Sequence, residues 1–264
     1  MKALRYLLIS LAALLLAACG SAEVSTPAPQ AKPKEAITFK NTVVSLTFDD
    51  GDADNYQTRS ILKENNLRAT FYVVSGFTGT SGYMSADELR GLHADGNEIG
   101  GHTLSHLNLT TIRGGELKRE VCQDRLNLLA YEFDVVSFAY PYGHYDEEAR
   151  QAVIECGYNN ARVVTGGPAL LPPADAYTFQ AMPYIVQDTR FPKMTRYVTE
   201  AESGGGGWVV FVFHHVCDGC NQYAVSLDTF SKFAQWLGEQ QKNGLVVKTV
   251  GEVIGGQVQP GVAP

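Results

Sequence analysis

The sequence predicts an α/β fold on a parallel sheet, open or closed, and three observations carry that reading. Strand-like and helix-like patterns alternate about seven times beyond residue 37. The run "WVVFVFHHV" from Trp208 is apolar up to His214, as a strand buried on both faces requires. Asp49, Asp50, His102, Tyr142 and His214 all fall at or just past predicted strand ends, where a (β/α) barrel places its chemistry. No glycine fingerprint follows the first strand, which disfavours a dinucleotide fold.

The elements follow in order. Val43–Phe48 reads as the first strand and Tyr56–Asn65 as a helix. "ATFYVV", Ala69–Val74, is β-branched and aromatic, hence a strand. "SADELRGLHADG" opens on Ser85 with Glu88 three residues on and stops at Gly96, a capped helix. Glu98–His102 is a short strand, and a long amphipathic helix begins at Gly114. Val135–Tyr140 is a strand, "DEEARQAVIECG" a helix and Ala161–Val164 a strand. Residues 166–192 are loop-like, with a strand reading open for "FQAMPYIV". Lys193–Ser203 is helical, and "SGGGGW" precedes a strand, so it reads as a connector and not a phosphate loop. A helix from Ser226 buries Phe230, Phe233, Trp236 and Leu237, and "LVVKTV" is the last strand.

The N-terminus has a different character. Residues 1–18 carry Lys2 and Arg5, an apolar run from Leu7 to Leu16, and small residues before Cys19. "LAAC" resembles a bacterial lipobox, which implies cleavage before Cys19 and a lipid on its sulfur. The run is short for a transmembrane anchor. Residues 19–36, with Pro27, Pro29 and Pro33, read as a flexible tether, and residues 37–264 as the domain. The expectation is an exported, lipid-anchored protein of the cell envelope. Gly20 after the cysteine points to the outer membrane where the cell has one. The net charge is −7 and falls to −9 when Lys2 and Arg5 leave with the signal, so no nucleic-acid partner is expected. The chain is expected to act as a monomer.

Export makes the other four cysteines disulfide candidates, with three pairings open. The favoured one closes a loop through Cys217–Cys220 and joins neighbouring helices through Cys122–Cys156. Cys217–Cys220 is a CxxC, but no second CxxC completes a zinc ribbon, and a thioredoxin-like role fits its strand-then-loop setting poorly.

The chemistry concentrates in two stretches. "TFDDG" puts Asp49 and Asp50 side by side at a strand end, where alternation gives them different faces. "HTLSH" puts His102 and His106 four apart, which on a helical turn shares a face. The pair lacks the glutamate of a zinc-protease helix and needs a third ligand, which Asp50 supplies. Two imidazoles and one carboxylate leave positions open for water, the pattern of a catalytic metal site. Asp49 is then free to act as a base.

Together "TFDDG", "HTLSH", "YPYG" and "VFHH" resemble the polysaccharide deacetylase family, the NodB-type or carbohydrate esterase family 4 enzymes, over roughly residues 40–250. The resemblance implies a distorted (β/α)7-type barrel, the NodB-homology domain, and metal-dependent removal of N-acetyl, sometimes O-acetyl, groups from a glycan. It implies Asp49 as base and Asp50, His102 and His106 as ligands of a divalent metal. Zinc suits that set, with cobalt or nickel as substitutes. It also implies an oxyanion-holding N–H at Tyr142 and His214 as the acid to the leaving amine. Two departures stand out. The third motif's arginine position is Ala139, and Arg162 in "NNARVV" is expected to take over its pairing with Asp49. The fourth motif's Asp and Trp are missing from "ARVVTGG", which leaves Asp218 as the candidate to tune His214. Alternation lets only one of His214 and His215 face the site, and the motif favours His214. His144, Tyr145 and Tyr223 are candidates for a glycan-binding rim, and His93 reads as solvated. The partner expected is an acetylated glycan, with chitin fragments, peptidoglycan, poly-N-acetylglucosamine and xylan open. An O-acetyl esterase with the same site and a non-catalytic glycan-binding lipoprotein are the alternatives.

Overall fold

The computed structural model describes residues 38–264; the expected signal, the candidate lipobox cysteine Cys19 and the expected tether lie outside them. Among the described residues no helix is long and apolar enough to cross a membrane.

The strands β1 (Thr42–Phe48), β2 (Thr70–Val73), β3 (Glu98–Gly101), β4 (Ser137–Ala139), β5 (Asn160–Arg162) and β6 (Gly207–Phe213) form one parallel sheet in the order β5-β4-β3-β2-β1-β6. The sheet curls, and the segment 176–185 lies between its two edges. Val163 N–H donates to the Phe179 carbonyl on one side, while Met182 and Ile185 N–H donate to Val210 and Val212 on the other. The expected strand at "FQAMPYIV" is therefore extended chain without a regular ladder. Pro183 within it offers no N–H for one. The result is a curled parallel half-barrel with helices outside, the distorted (β/α) barrel expected.

Helices α1 (Thr58–Glu64), α2 (Ala86–Ala94), α3 (Gly114–Lys118), α4 (Asp124–Ala130), α5 (Glu147–Glu155), α6 (Phe191–Ser203) and α7 (Leu227–Gln241) alternate with the strands. A 3-10 turn, Ala53–Gln57, precedes α1, so the helix starts later than its pattern suggests. The long helix from Gly114 is broken by a π-helical turn at Arg119–Gln123 between α3 and α4. Ser85 and Glu88 form the capping box read from the sequence. Beyond β6 two short strands pair, β7 (His215–Val216) and β8 (Ala224–Val225). The last expected strand shrinks to β9 (Val246–Val247). Thr249 and Glu252 then cap a further helix, α8 (Val250–Ile254), whose S/T-x-x-E signature the strand reading passed over.

Alternation sorts the strand residues into two cores. Val44, Leu46 and Phe48 of β1 and Val209, Phe211 and Phe213 of β6 belong to the layer shared with the helices. Phe48 stacks on Phe71 at 4.7 Å and on Phe213 at 5.2 Å there. Trp208, Val210 and Val212 of β6, with Tyr72, Ala139 and Phe179, fill the barrel interior. Interior parity continued to the strand ends leads to Asp49 after Thr47, His102 after Gly100, Arg162 after Asn160 and His214 after Val212. The structure pairs Cys122 with Cys156 and Cys217 with Cys220.

Candidate active site

Four strand ends meet at the carboxyl mouth of the barrel. β1 stops at Phe48, and the Asp49 N–H donates to the Phe213 carbonyl of β6 at 2.9 Å. Asp50 (φ 71°) and Gly51 (φ 82°) are both left-handed. This turn, more than strand alternation, separates the two aspartates.

Asp49 is buried, and Arg162 Nη2 donates to both its oxygens, at 2.6 and 2.5 Å. The guanidinium is fully buried and lies over the Tyr72 ring, 5.3 Å from its centre. Gly100 makes room for that ring, because a β-carbon there would come within 2.7 Å of it. Arg162 thus reaches the place that Ala139 cannot fill.

Asp50 turns the other way. Its Oδ1 lies 3.4 Å from His102 Nε2 and 3.2 Å from His106 Nε2. The His102 ring is fixed by its Nδ1, 2.7 Å from the Ala139 carbonyl. With Nδ1–H donated there, the neutral ring presents a lone pair at Nε2. The spacing of four is not helical, contrary to expectation. His102 follows β3 directly, and left-handed Thr103 (φ 72°) and His106 (φ 59°) fold the loop back so that both rings converge.

These atoms suit a metal. Asp50 Oδ1 is buried and has no hydrogen bond of good geometry. The separations of 3.2 and 3.4 Å match the edge of a tetrahedron with bonds of ~2.0–2.1 Å, about 3.4 Å. Burial pushes the Asp50 carboxyl up, but the two imidazoles outweigh it and hold it well below the carboxylate range. Burial pushes His102 down, and Asp50 with Asp49 more than reverses that. The cluster therefore favours positive charge at its centre, which a divalent cation supplies.

His214 follows β6, and burial lowers its pKa below the ordinary 6.5, against the pull of Asp49 and Asp50. Tyr184 stands edge-on to its ring at 5.1 Å, and Tyr223 lies tilted against it at 5.4 Å. Asp218 is exposed and makes no hydrogen bond to His214 among the described residues, so it does not tune that ring. His214 Nδ1 is buried without a partner. His215 is engaged elsewhere, its Nδ1 2.8 Å from Asp54 and 3.3 Å from Asp52. Tyr142 (φ 61°) packs its exposed ring 4.8 Å from His106. Tyr145 stacks on Tyr140 with one side exposed, and His144 approaches Asn108 at 3.2 Å. His93 is half-buried and not simply solvated, because the Phe133 ring packs edge-on against it at 5.4 Å.

Two contributors escaped the sequence reading. Tyr184 comes from the irregular segment, where no periodicity announces an inward ring. Asn55, four residues past the acidic motif, donates through its side chain to the His214 carbonyl at 2.5 Å. Its place in "DDGDADN" after four acids was the available signal.

Solved structures share this architecture. A family 4 carbohydrate esterase from Streptomyces lividans, solved with acetate, superposes with a TM-score of 0.55 at 16% identity, over 79% of this chain and 92% of that one. That likeness concerns the fold, and it defines the class as the NodB-type (β/α) barrel. The family model described as polysaccharide deacetylase matches residues 36–161. A chitin deacetylase of Colletotrichum lindemuthianum is 36% identical over 76 residues, 28% of this chain and 31% of that protein. A peptidoglycan-N-acetylglucosamine deacetylase of Bacillus cereus is 24% identical over 118 residues, 44% and 54% of the two chains. The chain spans about half the length, or less, of the curated relatives it matches.

Proposed function

We propose that this protein is a metal-dependent hydrolase that removes acetyl groups, N-acetyl foremost, from a polysaccharide or oligosaccharide. One observation carries the reading. Two adjacent aspartates are split, one aimed with two imidazole nitrogens at a common centre, the other held apart by a buried arginine.

Asp50, His102 and His106 would hold the ion, with zinc as the best match. When bound, it polarises the acetyl carbonyl and lowers the pKa of water to about 7. Asp49, held in place by Arg162, accepts the proton of the attacking water. The Tyr142 N–H would help hold the oxygen charge that develops. His214 gives a proton to the departing amine. Burial makes its protonated form a stronger acid than a solvated imidazolium, which suits that transfer. Tyr184 and Tyr223 flank that position, and Tyr142, Tyr145 and His144 offer surfaces for neighbouring sugars.

The names of the relatives fit an N-acetylated glycan of the chitin or peptidoglycan class. The lipobox-like "LAAC" supports anchoring through Cys19 in the bacterial cell envelope, in the outer membrane where there is one. The test is acetate release from N-acetylated chitin fragments and peptidoglycan and from O-acetylated xylan, with and without chelator. Release from the N-acetylated substrates is expected to stop on chelation and return with Zn2+. Release from xylan alone would favour an O-acetyl esterase. Glycan binding with no release from any substrate would overturn the enzymatic reading.

A further inference from the structure

Both imidazoles of the metal cluster sit on one loop, and that loop has an unusual support. Four consecutive N–H groups, Thr103 to His106, need partners. Thr103 N–H donates to Asp124 Oδ2 at 3.2 Å, Leu104 N–H to the Glu120 carbonyl at 2.9 Å and Ser105 N–H to Glu120 Oε2 at 2.9 Å. His106 N–H is taken by Thr103 Oγ1 at 2.9 Å, within the loop. Ser105 Oγ adds a bond to Glu120 Oε1 at 2.8 Å. Three of the four partners thus come from two residues, Glu120 within the π-helical turn and Asp124 just after it. Both acids are fully buried, on the side of the helix that Leu117, Val121 and Leu128 line. Buried carboxylates are costly without donors, and this loop supplies them.

The support is itself braced. Tyr158 O–H donates to Asp124 Oδ2 at 2.9 Å, and Asp124 Oδ1 takes the Ser75 N–H at 3.2 Å, tying the ends of β2 and β3. Cys122, midway between the two acids, is bonded to Cys156, two residues before Tyr158. Gly101 leaves the space, since a β-carbon there would meet Tyr158 Oη at 2.0 Å and Asp124 Oδ2 at 2.5 Å.

We propose that Glu120 and Asp124, braced by Tyr158 and the Cys122–Cys156 disulfide, are positioning residues that set how tightly the Asp50–His102–His106 cluster holds a divalent cation. The left-handed Thr103 and His106 are conformations that an L-residue leaves readily when unsupported. Holding them in advance spares the ion the work of ordering its own ligands. This inference rests on the proposed metal site.

The test is Zn2+ titration of the full-length, metal-stripped protein against a chromophoric chelator, with melting of the metal-free protein alongside. Glu120→Gln and Asp124→Asn are expected to raise the Zn2+ Kd ~10–100-fold, the range for lost outer partners of metal ligands. Tyr158→Phe, which keeps the shape of the core, should raise it several-fold, as should the Cys122→Ala/Cys156→Ala double variant. Glu98→Gln is the control. Glu98 is a half-buried acid that bonds Thr70 and the Gly251 N–H, away from this loop. It should lower the melting temperature and leave the Kd unchanged. A Kd within twofold of wild type in folded Glu120→Gln and Tyr158→Phe would overturn the inference, as would an equal weakening by Glu98→Gln. Asp50→Ala separates this from the underlying reading. If it binds Zn2+ like wild type, the metal site itself is wrong; if it does not and Glu120→Gln still binds normally, only the positioning role is.

Discussion

Asp49→Asn is expected to keep one divalent ion per chain and to lose turnover by ~10²–10⁴-fold, the usual worth of a positioned general base. The substitution preserves size and hydrogen-bonding shape but removes the anion that takes the proton. The ion is expected to stay because Asp50, and not Asp49, faces the imidazoles. The variant should also be less stable by about 3–5 kcal/mol, since the buried Arg162 guanidinium loses its counter-charge. Turnover at saturating Zn2+, metal content by elemental analysis and urea unfolding check the three parts. Loss of the ion together with turnover would show that the two aspartates are not separated as described.

Arg162→Ala is the complementary case. It leaves the Asp49 carboxylate buried beside no cation and without the donor that holds both its oxygens. Turnover at neutral pH should fall while metal stays bound. Stability should again drop by about 3–5 kcal/mol, because the buried charge is uncompensated. Arg162→Lys keeps a charge but not the planar fork and should recover only part of both losses. Unchanged turnover would show that the pair is structural only.

Much of this site was legible because strand parity is simple. Asp49, His102, Arg162 and His214 each continue the interior-facing positions of a strand whose apolar residues announce it. The link from Arg162 to Asp49 came from asking what could replace an absent arginine, and the two side chains meet across the barrel. Legibility failed where the chain leaves regular structure. The His102–His106 loop was read as a helical turn because a spacing of four is ambiguous, and only its left-handed residues decide the path. Tyr184 lies in a segment held by scattered backbone bonds on two sides, a pattern with no sequence period. The partner sought for His214 in Asp218 is absent because that loop is closed on itself by Cys217–Cys220. Glu120 and Asp124 fall in the stretch whose pattern gives only an amphipathic helix, and the π-helical turn and the loop above them show where they point.

The central claim concerns where a cation sits. Crystals grown with Zn2+ and measured at its absorption edge locate it directly. The account predicts one anomalous peak within bonding distance of Asp50, His102 Nε2 and His106 Nε2, with Asp49 still on Arg162. A peak bridging both aspartates, or none at these three side chains, would contradict it.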